Sequence, residues 1–296
     1  MGKASRRRRH TDGSAAPSRA RTEPVPFEAR PFAGLPGETE WVAIREILPA
    51  ATATVRLVGP HAADGTEILL TTVLPLAWPG LHRSDGRLLV ATQSGGSSGD
   101  ASRDLAGQML ATAALEPGTP LVTVPSPTRA TPRLQDVVDL TAGFEAELHE
   151  GFDFWVEGQE LDEEGRASLE RANEAIVPTV RMAALPSAYW VRIGDRAHIR
   201  HVLPDDEDAA TDALARLHAA ASDGLGEGTR LLGAFRTAGL LVPVWDLDPE
   251  LEAGTYEDAL TAWGSRYAEA LAADAPLTAE ERRARSGLLS RQVTLR

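Results

Sequence analysis

The spacing of apolar residues changes near residue 50. Before that point, Trp41, Ile44 and Leu48 recur at helical intervals; after it, residues 51–57 alternate apolar and polar side chains. A period near 3.6 predicts a helix, and a period of two predicts a half-buried strand. The folded part of the chain is therefore predicted to begin with a helix that Pro49 ends, followed directly by a strand.

Turn signals and further apolar runs predict the rest of an α+β fold with antiparallel or mixed sheets and packed helices. The turn pairs that separate strand-like runs are Asp64-Gly65, Asp85-Gly86 and Gly194-Asp195. Further strands are predicted at 68–74, 88–92, 144–148, 189–193, 197–201, 231–235 and 240–247. Further helices are predicted to begin near residues 100, 162, 205, 256 and 278. The proline-dense segment 117–132 is the candidate linker.

These elements suggest three regions: a disordered basic tail at 1–30, an α+β half at 31–140 and a second α+β half at 141–296. A weak echo relates the halves, since Leu-Pro-Leu-Ala-Trp at 74–78 recurs as Leu-Pro-Ser-Ala-Tyr at 185–189. Each copy precedes a predicted strand and an alanine-rich helix. The echo indicates duplication, and chance repetition in an alanine-rich chain is the alternative.

Charge divides the chain into two unlike parts. The net charge of −13 combines +6 in residues 1–22, where seven basic residues face one acidic residue, with −19 in the remainder. The cations Lys3, Arg6, Arg7, Arg8 and Arg9 have no aromatic residue among them. This pattern favours loose binding to a polyanion such as RNA or the ribosome over base-specific recognition, and a solubility tail is the alternative.

The complete lack of cysteine excludes disulfides, thiolate zinc sites and a cysteine nucleophile. No apolar run approaches the roughly 18 residues that a membrane span needs, and no apolar segment follows the arginine run. We therefore expect a cytoplasmic protein that is not inserted into a membrane.

Two glycine-rich segments are candidates for anion-binding loops. Residues 93–100 lie between a predicted strand and a predicted helix, but they match neither the dinucleotide nor the phosphate-loop pattern. Residues 224–228 follow a helix, where glycine commonly ends the helix. Both segments are therefore predicted to be ordinary connections, and no cofactor is predicted.

His149, with Glu150 and Asp153, lies among aromatic residues and is a candidate acid–base or ligand-binding group. The alternative is that these side chains cover the solvent face of a strand. No serine lies in a nucleophile elbow, so nothing in the sequence indicates acyl transfer.

His198 and Asp246 are the other candidate ligand-binding residues. His198 shares a predicted strand face with Arg200, whereas His201 falls on the opposite face, so the two histidines are not expected to chelate a metal together. Asp246 ends the run Val242-Pro243-Val244-Trp245, in which proline indicates an edge or a bulge. No metal site is predicted.

The chain resembles an uncharacterised domain family of actinobacterial proteins along nearly its whole length. The matching stretches are MGKASRRRR, GLPGETEWVAIREILPAATATV, HEGFDFWV, LERANEAIVPT, YWVRIGDR, GLLVPVWDL and APLTAEERRARSGLLSRQVTLR. Members are sometimes labelled as preprotein-translocase proteins. A translocase motor needs a phosphate loop with lysine, and its zinc tail needs cysteines, neither of which this chain contains.

The leading hypothesis is a non-enzymatic accessory protein whose acidic body binds a partner protein and whose tail adds affinity for RNA or the ribosome. The alternatives are a small-ligand-binding protein or enzyme that uses a cleft between the halves, and a translocase-associated factor. The ligand-binding alternative requires His149, His198 and the Asp246 region to converge on one pocket.

Overall fold

The computed structural model describes residues 25–290 apart from 62, 64, 95–97 and 125, and the described residues form seven α-helices and two β-sheets. The predicted tail lies outside the described residues up to residue 24. Residues 25–30, also assigned to the tail from the sequence, lie against the body. Val25 is buried, and Arg30 forms an ion pair with Glu38 at 2.6 Å.

The first sheet is mixed and follows helix α1 (Glu38–Glu46). Its strands are β1 (Ala51–Arg56), β2 (Glu67–Thr71), β3 (Gly80–His82), β4 (Leu88–Ala91), β5 (Thr119–Leu121) and β6 (Glu147–Leu148). The strand order is β5-β3-β4-β2-β1-β6, in which β2 and β4 are parallel and the other neighbours are antiparallel. Helices α2 (Ala101–Ala113) and α3 (Leu134–Val137) belong to the same part of the chain, and Asp100 caps α2 by accepting two main-chain hydrogen bonds.

Two predictions about this part were wrong. Segment 117–132 is not a linker, because it contains β5, which pairs with β3. The strand predicted over 144–148 is reduced to β6, because the amide of Ala146 donates to the Glu40 side chain instead of to a neighbouring strand. The segment Asp153–Trp155 that follows, with the aromatic residues Phe154 and Trp155, forms a 3-10 turn. The first sheet therefore extends past residue 140, the boundary expected between the halves.

The second sheet is antiparallel, with the order β10-β11-β9-β8-β7. These strands are β7 (Thr179–Arg181), β8 (Ala188–Ile193), β9 (Arg196–His201), β10 (Arg230–Thr237) and β11 (Leu240–Leu247). The accompanying helices are α4 (Glu163–Glu174), α5 (Glu207–Ala219), α6 (Glu257–Leu271) and α7 (Ala279–Ser290). The predicted β8–β9 hairpin and the predicted helices are confirmed. However, α4 buries no residue, so its apolar face is only partly covered.

The two sheets share a hydrophobic core. One face of the second sheet contributes Tyr189, Val191 and Val242 to a cluster that contains Trp41 and Ile44 of α1. The opposite face packs against α5, α6 and α7 in a second cluster. The halves are therefore joined by apolar packing. Strand β6 forms one edge of the first sheet, and β7 forms one edge of the second sheet.

The internal echo is seen in the backbone but not in the strand order. Leu76 and Ser187, the middle residues of the two copies, both have left-handed φ angles of 55° and 52°. Each copy precedes a hairpin and a helix. Beyond that the halves differ in strand pairing. The second neighbour of β4 in its sheet is the parallel strand β2, whereas the second neighbour of β9 is the antiparallel strand β11. Duplication therefore remains a prediction.

Candidate functional site

A groove of about 920 Å³ lies where the two sheet edges meet. We call it the junction groove, and its lining consists of Pro49, residues 145–150, Asn173 and residues 176–181. One wall is therefore β6 with its flanking residues, and the other is β7 with the chain that leaves α4. Asn173 fixes the end of α4 through its Oδ1 atom, which accepts a hydrogen bond from the amide of Phe152 at 2.8 Å.

Glu40 and Arg181 hold the two walls together at the base of the groove. Arg181 donates to both carboxylate oxygens of Glu40, at 2.9 and 2.8 Å, and also to the carbonyl oxygen of Ala146. Ser187 and Tyr189 donate to Glu40 as well, at 2.6 and 2.9 Å. Burial raises the pKa of Glu40, but the hydrogen bonds from Arg181 and Ser187 outweigh it and lower the net pKa. Glu40 is therefore a buried anion that Arg181 neutralises.

The rest of the groove is acidic and partly apolar. Glu145, Glu147 and Glu150 are exposed on its rim, and none of the three forms an ion pair with a residue that the structure describes. Ile176 and Val177 are half-buried in the opposite wall. Because Arg181 carries one positive charge and pairs with Glu40, the three rim glutamates leave the groove with a net negative charge beside apolar surface.

His149 lies in the groove lining, as the ligand-binding hypothesis requires. Its Nε2 atom is 2.7 Å from the hydroxyl oxygen of Thr52, and its ring packs on Phe154 with centroids 4.9 Å apart. A histidine beside a hydroxyl resembles a base and nucleophile, but Thr52 is 5% exposed and does not line the groove. The contact therefore orients His149 and does not present a nucleophile to a substrate.

His198 and Asp246 meet on the second sheet, away from the groove lining. They face each other across β9 and β11, with His198 Nε2 3.7 Å from Asp246 Oδ1. Arg230 of β10 approaches the other carboxylate oxygen at 3.6 Å. Burial lowers the pKa of His198, and Asp246 opposes that effect. The three candidate residues thus lie at two separate locations. His149 is at the groove, and the His198–Asp246 pair is on the second sheet.

The model of a family of unknown function, DUF5926, matches residues 31–296. The chain belongs to DUF5926. That family model spans both sheets of the described fold, from the chain before α1 to α7. No curated protein and no solved structure matches the chain.

The remaining sequence candidates have structural roles in this DUF5926 fold. In the described part of residues 93–100, the amide of Ser98 donates to the carboxylate of Asp104 at 3.0 Å, so a side chain of the protein occupies a position that a phosphate would need. Residues 224–228 form a turn after α5, with left-handed glycines at 226 and 228. His201 packs edge-on against Trp263 in the second core, on the face opposite His198.

Within the described ranges, no group of three or more potential metal ligands is clustered. None of the described helices has the length and apolar character needed to cross a bilayer. The basic residues Lys3, Arg6, Arg7, Arg8 and Arg9 lie outside the described residues, so their predicted affinity for RNA remains a prediction.

Sequence reasoning missed the Glu40 network in this DUF5926 chain. A signal for it was present, because Glu40 is spaced four and seven residues from Ile44 and Ile47 and therefore shares their buried helical face. A glutamate on such a face requires a partner. Nothing local identified Arg181 as that partner, since 141 residues separate the two.

Proposed function

We propose that this DUF5926 chain is a non-catalytic binding protein whose junction groove accepts a segment of a partner protein that carries both basic and apolar side chains. The observation that supports this most is the combination of three unpaired glutamates with an apolar wall in one groove. The proposal agrees with the accessory role expected from the sequence, and it assigns the contact to a particular surface.

Charge complementarity supports a basic occupant. Lysine or arginine side chains of a partner would face Glu145, Glu147 and Glu150, and their aliphatic stems would lie against Ile176 and Val177. The attraction acts between groups that remain solvated at the rim, so it raises the association rate and selects against acidic partners more than it adds affinity.

The openness of the groove favours a protein segment over a free small molecule. Small-molecule pockets usually enclose most of the ligand surface. Here the three carboxylates are exposed and the apolar wall is only half-buried, so a small amine would remain largely in water. An extended segment that continues past both ends of the groove would bury more surface.

The hydrogen bonds already made by the polar side chains at the groove favour a binding function over a catalytic one. Arg181 is bound to Glu40, His149 is bound to Thr52, and the Thr52 hydroxyl is buried beneath the lining. The groove therefore offers attraction and shape without an accessible nucleophile that has an adjacent base.

Fluorescence anisotropy with the full chain tests the proposal. The probe is a labelled eight-residue peptide that alternates lysine with leucine, and the same peptide with glutamate for lysine is the charge control. We expect the basic peptide to bind and the triple variant Glu145→Gln, Glu147→Gln, Glu150→Gln to bind at least tenfold more weakly. Glu67→Gln, a change at an exposed glutamate of β2, should leave the affinity unchanged.

Four results would contradict this function. The first is equal binding of the two peptides, and the second is an unchanged affinity in the triple glutamine variant. The third is a tenfold gain in affinity after deletion of residues 1–22, which would assign the groove to the basic tail of the same chain. Free hexylamine should not displace the peptide at equal concentration; full displacement is the fourth result and would indicate a small-amine site instead.

A further inference from the structure

Arg200 of β9 is a buried arginine for which the described protein supplies no partner. It is 7% exposed and makes no hydrogen bond or ion pair with any residue that the structure describes. Its Nε atom is fully buried without an acceptor, whereas its terminal nitrogens are not among the fully buried unsatisfied atoms. The guanidinium therefore reaches solvent only at its tip.

Arg83 shows how the same fold treats a buried arginine with a structural role. Arg83 is 2% exposed, and its terminal nitrogens donate to the carbonyl oxygens of Trp155 and Glu157 at 3.1 and 2.6 Å. It also forms an ion pair with Asp85 at 2.8 Å. Arg200 has none of these contacts, although an arginine remains protonated in a protein and cannot lose its charge to relieve burial.

His198 adds a second unsatisfied donor on the same strand face. Residues two apart on a strand point to the same side, about 7 Å from each other. His198 is 8% exposed, and its Nδ1 atom is fully buried without a partner. Its Nε2 atom faces the Asp246 carboxylate, which only accepts hydrogen bonds, so Nδ1 can also donate to a ligand when the ring is in the imidazolium form.

Among the described residues, the surroundings of this pair provide no competing anion for Arg200. The side chains opposite it on the neighbouring strands are Tyr189 and Val244, and the Tyr189 hydroxyl is bound to Glu40. Asp246 lies opposite His198 and also approaches Arg230, so its charge is shared between those two residues. A desolvated cation without a counter-ion is costly, and an anionic ligand would remove that cost.

We propose that Arg200 and His198 form a binding site for a small oxyanion, a carboxylate or a phosphate group. The planar guanidinium can donate two parallel hydrogen bonds to such a group, and His198 Nδ1 supplies a third. Asp246 is a positioning residue that orients the imidazole through Nε2. Neither His198 nor Arg200 lines the junction groove, so this site is independent of the function proposed for that groove.

Isothermal titration calorimetry tests this site, with inorganic phosphate and acetate titrated separately into the full chain. Sodium chloride of equal ionic strength is the control titrant. The two anions distinguish a phosphate site from a carboxylate site. We expect one of them to bind the wild-type chain, and Arg200→Met to weaken that binding at least tenfold. His198→Gln should weaken it less, and Arg56→Met, at an exposed arginine of β1, should leave it unchanged.

The stability of the Arg200→Met variant separates a ligand-binding arginine from a structural one. An uncompensated buried cation destabilises the unliganded fold, so we expect Arg200→Met to unfold at the same denaturant concentration as wild type or at a higher one. Loss of stability in this variant, with no response of the wild type to either anion, would overturn the proposal. Equal anion affinity in wild type and Arg200→Met would overturn it as well.

Discussion

Arg181 of β7 donates to both carboxylate oxygens of Glu40 in α1, at 2.9 and 2.8 Å, and to the carbonyl oxygen of Ala146, and so joins the second sheet to α1 and to the chain that enters β6. Glu40 is 7% exposed, and Ser187 and Tyr189 supply two further donors. The pair therefore has the additional hydrogen bonds that a buried ion pair needs to offset desolvation.

We predict that Glu40→Ala lowers the free energy of unfolding by about 3–5 kcal/mol, because it removes a buried carboxylate that accepts hydrogen bonds from Arg181, Ser187 and Tyr189 and leaves the half-buried Arg181 charge without a counter-ion. Urea denaturation followed by circular dichroism measures this loss. The double variant Glu40→Ala, Arg181→Ala should cost less than the sum of the two single changes, since it removes both charges.

Glu67→Ala is the matched control, because Glu67 pairs with Arg56 on the surface at 3.0 Å. Exposed ion pairs contribute about 1 kcal/mol or less. If Glu40→Ala costs no more than Glu67→Ala, the Glu40 network does not hold the sheets together.

Local patterns in the sequence predict most of the helices and strands. The elements that they do not predict are those that form through pairing with distant parts of the chain. The β8–β9 hairpin and the capped helices follow from turn and cap residues close in sequence. Strands β3 and β5 have three residues each, too few to show a period, and they form because each pairs with a strand from elsewhere in the chain.

The candidate site was predictable only in part for the same reason. His149 and Glu150 stood out among aromatic residues, and both line the junction groove. The opposite wall, residues 176–181, carries no chemical motif and becomes a wall only when β7 lies beside β6. The sequence places Arg200 beside His198 on one strand face, but the lack of a partner for Arg200 is a property of the folded chain.

Gly80 tests the placement of β3 against α2. A Cβ atom at this position would overlap the side-chain oxygen of Thr112. We predict that Gly80→Ala costs about 1–3 kcal/mol through overpacking, and that Thr112→Ala in the same chain recovers part of the loss. Thermal unfolding of the single and double variants measures both effects.

Gly107, within α2, provides the control. A Cβ atom there would meet only a methyl group of Thr131 at 3.4 Å, so Gly107→Ala should leave stability unchanged or raise it by up to about 1 kcal/mol. Equal losses for Gly80→Ala and Gly107→Ala would contradict the packing of β3 on α2.

The burial of His201 should lower the free energy of unfolding at mildly acidic pH. Burial lowers the pKa of His201 from 6.5 to about 4. Between these two values the unfolded chain binds a proton and the folded chain does not, so stability is full above pH 6.5 and falls as the pH drops toward 4. The loss amounts to about 3 kcal/mol, from 1.36 kcal/mol for each pKa unit.

Urea midpoints measured at intervals from pH 7.5 to pH 4 test this prediction. His201→Gln removes the titrating group and should reduce the slope over that range. A smaller slope should persist, because burial lowers the pKa of His198 in the same sense. An unchanged slope in His201→Gln would show that His201 is not the group responsible.

The basic tail predicts a salt-dependent association with RNA that is independent of the folded body. Residues 1–22 carry a charge of +6. We predict that the full chain binds poly(U) and that deletion of residues 1–22 abolishes this binding. A plot of the logarithm of the association constant against the logarithm of the salt concentration should have a slope of about −3, as expected for four or five phosphate contacts. Replacing Arg6, Arg7, Arg8 and Arg9 with glutamine keeps the tail length and should have nearly the same effect. Because the body carries the remaining −19, it should repel RNA once the tail is removed; undiminished binding by the truncated chain would transfer the RNA contact to the body and refute the role of the tail.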